Sequence, residues 1–168
     1  VIPQRYEARL ETLRRQLDER LADALLISGE ANVTWLTGFT GDSSWLVLGR
    51  DFCFLVSDGR YATQIREECP GLDVVIRKPE VKLHEAAAKA IRRTRPRRLG
   101  IESNILPFDT VEMLQSALPG CALSPMRGAV EVLRAIKDAD EIAHIREAVE
   151  LAARGFDRLL ESLAGEMS

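Results

Sequence analysis

Tyr6, Leu10, Leu13, Leu17 and Leu21 recur at intervals of three and four among arginines and glutamates, one apolar stripe that predicts an amphipathic helix. The period then changes. "DALLIS" reads as a short buried strand, a helical turn is predicted from Ala31 through Leu36, and "SWLVLG" and "FCFLVS" read as two strands joined by the tight "RD" connection of a hairpin. Asp58 stands where it can cap a following helix that carries Tyr61 and Ile65 on one face and ends at Pro70 and Gly71. "LDVVIR" predicts a strand, Leu83, Ala87, Ala90 and Ile91 a helix, "RLGIE" a strand, Val111, Leu114 and Leu118 a helix after Pro107, and "CALS" a last short strand. This alternation predicts an α/β fold in which a mixed β-sheet is flanked by helices.

From Asp138 the pattern lengthens. Asp138 and Glu141 have capping-box spacing, and Ile142, Ile145, Val149, Ala153, Phe156, Leu160 and Leu163 continue one apolar face for about seven turns. Such a helix exceeds what the preceding α/β core needs, and its apolar face calls for a neighbouring domain or a second chain. The expected organisation is an α/β domain over residues 1–137 and a helix over 138–168. A chain that starts without Met and stops just after this helix reads as a fragment of something longer.

Composition narrows the classes. The 168 residues, 46% hydrophobic, suffice for one sizeable core. Twenty-three basic residues against 26 acidic leave a net charge of −3, which gives no general attraction for nucleic acid or an anionic membrane. Cys53, Cys69 and Cys121 are odd in number and far apart, so neither a disulfide framework nor a zinc knuckle is indicated; reduced thiols and a cytoplasmic location are expected. No apolar run approaches a membrane span, and the N-terminus lacks the order of a signal peptide.

Motif chemistry is thin. "GDSS" at Gly41 to Ser44 has the look of a nucleophile block, which would make Ser43 a serine-esterase candidate, but it stands late, and the late Asp140 and His144 share an exposed helix face. "TGFTG" is followed by no lysine of a phosphate loop. His84 and His144 are isolated and make no metal site. "RRTRPRR" has no interleaved aromatics and reads as a solvated helix end whose cations suit the dipole. Asp58 and Glu102, at strand ends, make a pair too sparse for two-metal chemistry and read as a helix cap and a surface glutamate.

Three blocks in order carry more information: "NVTWLTGFTGDSSWLVL", "LVSDGRYATQIREE", and "VLRAIKDADEIAHIREAVELAARGFDRLLESLAGEMS". Their most specific parts are Asn32 with Leu36-Thr37-Gly38-Phe39, Asp58 with Arg60-Tyr61, and Leu133-Arg134 with Ile136-Lys137 and Glu141-Ile142. In this order they resemble the N-terminal part of the Xaa-Pro peptidases, the aminopeptidase P, prolidase and creatinase family, over nearly all of residues 5 to 168.

The resemblance implies a creatinase/prolidase N-terminal domain, ribonuclease H-like, that is not itself catalytic, with residues 138–168 as the first helix of a "pita-bread" catalytic domain absent from this chain. There, two divalent ions, manganese, cobalt or zinc, held by two Asp, a His and two Glu, would generate a hydroxide and polarise the Xaa-Pro carbonyl. No residue here matches those ligands, and the family's "G-x-[ST]-E" segment would begin at Gly165, with Ser168 near its Ser/Thr position. The implied role is oligomerisation, as a homodimer, and restriction of access to the site that cleaves proline-containing peptides. Gly38, Phe39, Gly41, Arg60 and Tyr61 are the candidates for substrate access or a subunit interface, with Phe39 walling a pocket, against packing roles for the same residues. A free-standing binding module with a different C-terminal partner is the alternative, and an esterase using Ser43 the distant one.

Overall fold

The computed structural model describes residues 2–166; Ser168 and the register of the "G-x-[ST]-E" segment lie outside them. The chain divides into two compact units between Val132 and Leu133. The first holds a six-stranded mixed sheet built from β1 (Ala24–Ile27), β2 (Trp45–Gly49), β3 (Cys53–Asp58), β4 (Asp73–Arg77), β5 (Arg98–Ile101) and β6 (Ala122–Pro125). Their spatial order is β4-β3-β2-β1-β5-β6. β1, β2 and β3 form an antiparallel meander, and the pairs β1–β5, β3–β4 and β5–β6 are parallel.

Strands whose sequences run apolar without alternation are covered on both faces. On one face Ala24, Leu26, Val47, Phe54, Val56 and Leu99 pack against the alanine-rich α4 (Leu83–Thr94) and against α5 (Phe108–Ala117). The alternate residues Leu25, Ile27, Leu46, Leu48 and Leu55 are fully buried on the other face. On that side α1 (Gln4–Glu19) and α2 (Glu30–Thr37) contact β2. Leu10, Leu13 and Leu17 form the buried stripe of α1, as the pattern predicts. Leu21 does not belong to it: the helix ends at Glu19, Leu21 has φ 54°, and its side chain is 71% exposed. The β2–β3 connection is longer than the predicted two residues, because Phe52 leaves the strand and stacks on Phe54 at 5.8 Å.

Glu102 corrects the reading of a surface glutamate. It follows β5, is 0% exposed, and spreads its two oxygens over the end of β1 and the start of α2. Oε2 accepts from the amides of Ser28 (2.6 Å) and Gly29 (2.8 Å) and from the Ser28 hydroxyl, and Oε1 accepts from Asn32 Nδ2 (2.6 Å). An anion placed there satisfies amides that a helix start leaves open and complements its dipole.

In the second unit α7 (Ala139–Glu166) begins at the predicted capping box: the Asp138 amide donates to Glu141 Oε2 and the Glu141 amide to Asp138 Oδ1, both at 2.9 Å. A short helix, α6 (Glu131–Ala135), unforeseen in the sequence, spans the boundary between the units. Ile142, Ile145, Val149, Phe156, Leu160 and Leu163 of α7 are all exposed.

Glu102→Ala would leave buried donors without acceptors and is expected to cost about 3 kcal/mol or more, read as a lower urea midpoint. Glu102→Gln, which keeps one acceptor oxygen, should fall between wild type and alanine.

Candidate functional site

The loop of residues 38–44 is set by what precedes and follows it. Gly38 ends α2 in the left-handed conformation (φ 83°), its amide donating to Thr34 O, and a Cβ there would lie 2.6 Å from the Tyr6 hydroxyl. A Cβ on Gly41 would run into the rings of Phe39 and Tyr61. Both glycines are therefore required by close packing. Thr40 is tied to α3 (Ala62–Glu68): its amide and hydroxyl each donate to Glu68 at 2.8 Å, and Gln64 donates to both residues.

Phe39 is 0% exposed, so it has no surface of its own to offer a ligand. It backs Tyr61 instead, edge to face, with ring centroids 5.5 Å apart and planes at 84°. The Tyr61 hydroxyl donates to Asp42 Oδ1 at 2.6 Å. That bond holds the Asp42 carboxyl below the usual aspartate range and raises the phenol.

Asp58 caps the 3₁₀ turn of Gly59–Tyr61 by accepting from the Arg60 amide, as the sequence position suggests. It is almost wholly buried and takes a two-pronged contact from the Arg60 guanidinium, Nε to Oδ1 at 3.1 Å and Nη2 to Oδ2 at 2.8 Å. Arg77 of β4 adds a bond to Oδ2 at 3.1 Å and donates to Val81 O. The Arg60 hydrogen bonds hold the Asp58 carboxyl below its usual range. Arg60 in turn lies with its guanidinium carbon 5.4 Å from the Tyr61 ring centroid while its side chain stays 69% exposed. Asp58, Gly59, Arg60, Arg77 and Pro79 line a recess of about 330 Å³.

The structure thus joins Phe39, Gly41, Tyr61 and Arg60 in one chain of contacts, with Gly38 holding the loop's first turn. Asp42, Glu68 and Arg77 belong to it as well; the pattern of the sequence does not mark them, since their partners lie 19 or more residues away. Two guanidiniums share the Asp58 carboxylate, and Asp42 is a second carboxylate acting on Arg60, so the charges balance and the exposed Arg60 head presents hydrogen-bond donors to a hydrogen-bonding group. Among the described residues no activated nucleophile accompanies them. Ser43 is an exposed turn residue at φ 48°, and among the described residues no histidine bonds to it. Burial pushes the Cys53 thiol up to about 12 and the Cys69 thiol up to about 11, so neither ionises readily. Among the described residues no group of three or more His, Cys, Asp or Glu side chains could hold a metal ion, so this chain's residues do not fit the two-ion centre that the resemblance implies.

Residues 9–136 match the Creatinase/Prolidase N-terminal domain, and the chain belongs to that family. An uncharacterised peptidase of Bacillus subtilis, YqhT, is 29% identical over 90% of this chain and 42% of its own length. Among solved structures, the N-terminal domain of cytoplasmic peptidase PepQ from Mycobacterium tuberculosis is 32% identical, with a TM-score of 0.69 over 75% of this chain and 98% of that one. An Xaa-Pro dipeptidase from Bacillus anthracis is 25% identical, with a TM-score of 0.85 over 93% of this chain and 43% of that one. The chain spans 40–45% of the length of the curated relatives it matches.

Since Asp58 binds protons less readily in the folded chain than in the unfolded one, its stabilisation is complete above the ordinary aspartate value of about 3.9 and is lost as pH falls through the lower folded value. The stability gap between wild type and Arg60→Ala, read from urea midpoints, should be open at pH ~6 and narrow below pH ~3. A gap that does not change with pH would show that Arg60 acts by packing rather than through the Asp58 charge.

Proposed function

We propose that this chain is the non-catalytic N-terminal domain of a metal-dependent Xaa-Pro peptidase of the cytoplasm, acting on proline-containing peptides as a homodimer. The observation that carries the reading is the family match over residues 9–136, together with matches that reach into α7 and cover about two-fifths of relatives named as peptidases. In this reading α7 opens the catalytic domain, its exposed apolar face is covered there, and the two metal ions reside wholly in that domain.

The part played by residues 1–137 is oligomerisation and control of access. Support comes from the recess beside Asp58: Arg60 and Tyr61 are braced from behind by Phe39 and Arg77, so that an exposed guanidinium and phenol edge are held in fixed positions without any group that could attack a peptide. Such a pair would border a partner subunit's substrate site and select among peptides by charge and size.

The test compares this chain with the same chain joined to the second domain that its relatives' lengths imply, each assayed on an Xaa-Pro dipeptide and tripeptide with added Mn²⁺. The expected result is turnover by the longer protein, abolished by a chelator, and none by residues 1–168 alone. In the longer protein Arg60→Ala should lower kcat/KM about tenfold. Turnover by the short chain would overturn the non-catalytic assignment, and an unchanged kcat/KM would remove Arg60 from substrate access.

A further inference from the structure

β4 is an edge strand whose pairing partner in the sheet is β3. An edge strand presents a row of N–H and C=O groups that can pair with another chain. Here the row belongs to Asp73–Arg77, with the β-branched run Val74, Val75 and Ile76 at its centre and Ile76 43% exposed.

Alongside it, between β4 and α4, runs a groove of about 310 Å³. Its floor is apolar, formed by Val75, Val81, Ala86 and Ala90. Its rim is cationic: Lys78, Lys89 and Arg93 are all exposed, and none of the three has a carboxylate partner among the described residues. Arg77, at the end of the strand, is engaged with Asp58, yet its Nε is buried without a hydrogen-bond partner. This concentration of cations is local, since the chain as a whole carries a net charge of −3.

We propose that the β4–α4 edge is a docking site for an acidic peptide segment, which adds to the sheet as an extended strand beside β4 and places alternate acidic side chains against Lys78, Lys89 and Arg93. Strand addition draws affinity from main-chain hydrogen bonds, and the side-chain pockets set the choice of sequence. The same cations deter indiscriminate pairing at the edge. The groove offers no aromatic platform for bases, which separates it from single-stranded nucleic-acid sites. The site lies in the first unit and does not depend on the peptidase reading.

The test uses a labelled short peptide alternating glutamate and valine, titrated by fluorescence anisotropy against this chain. The expected result is saturable binding, weakened at least about tenfold by Lys89→Glu with Arg93→Glu, while the lysine-for-glutamate peptide prefers that double variant to wild type. Both positions are exposed, and an unchanged melting temperature verifies the fold; Lys78→Glu gives a second, independent variant. N-methylation of alternate peptide amides should abolish binding, which charge attraction alone would not require. Equal binding by wild type and the charge-reversed variants would overturn the site. Undiminished binding of the N-methylated peptide, or tighter binding of an oligonucleotide of equal charge, would overturn strand addition.

Discussion

The carboxylate of Glu102 is the interaction on which the first unit's geometry rests. It is fully buried, and its oxygens collect the amides of Ser28 and Gly29 together with the Asn32 side chain. In one step it fixes the end of β5 against the end of β1 and starts α2 at a defined angle. α2 has only eight residues and little apolar periodicity, so it would be marginal as an isolated helix. Where α2 starts decides where Gly38 ends it, and Gly38 in turn decides where the loop carrying Phe39 and Asp42 emerges.

From that loop outward the contacts run in layers. Phe39 is wholly inside, Tyr61 stands on its ring, Asp42 and Arg60 stand on Tyr61, and Asp58 with Arg77 anchors Arg60 to the sheet. Exposure rises from Phe39 through Tyr61 to Asp42 and Arg60, while the anchoring Asp58 stays buried. A side chain such as Arg60, which would ordinarily sample many rotamers, is thereby held by a two-pronged ion pair on one side and an aromatic face on the other. Preorganisation of this kind favours recognition, because the cost of ordering the side chain has been met in folding.

The strands were readable because β1, β2 and β3 are covered on both faces and so appear as unbroken apolar runs, while α1, α4 and α7 declare themselves by period. Local caution fails at the ends of elements. Leu21 continues the spacing of α1, but the helix has stopped at Glu19 and Leu21 is itself left-handed, and nothing in a stripe of leucines marks that stop. Glu102 defeats the reading for a different reason: a single acidic residue after a strand looks the same whether water or the polar groups of three distant residues receive it, and its partners lie 70 to 74 residues away. Tyr61 and Asp42 likewise meet only because two loops are folded together. The candidate residues Gly38, Phe39, Gly41, Arg60 and Tyr61 were visible through family resemblance, whereas their physical connection was not.

The pairing of β1 with β5 has a temporal side. The antiparallel meander of β1, β2 and β3 closes over short connections, whereas the β1–β5 ladder and the Ser28–Glu102 bond wait for residues 74 positions further on. At about 5–20 residues per second, a ribosome would hold the first strands exposed for about 4–15 s before Glu102 is made. During that interval the central strand of the finished sheet is an open edge, and the start of α2 lacks its anion. The newborn chain is therefore most exposed to mispairing at what later becomes its best-protected strand.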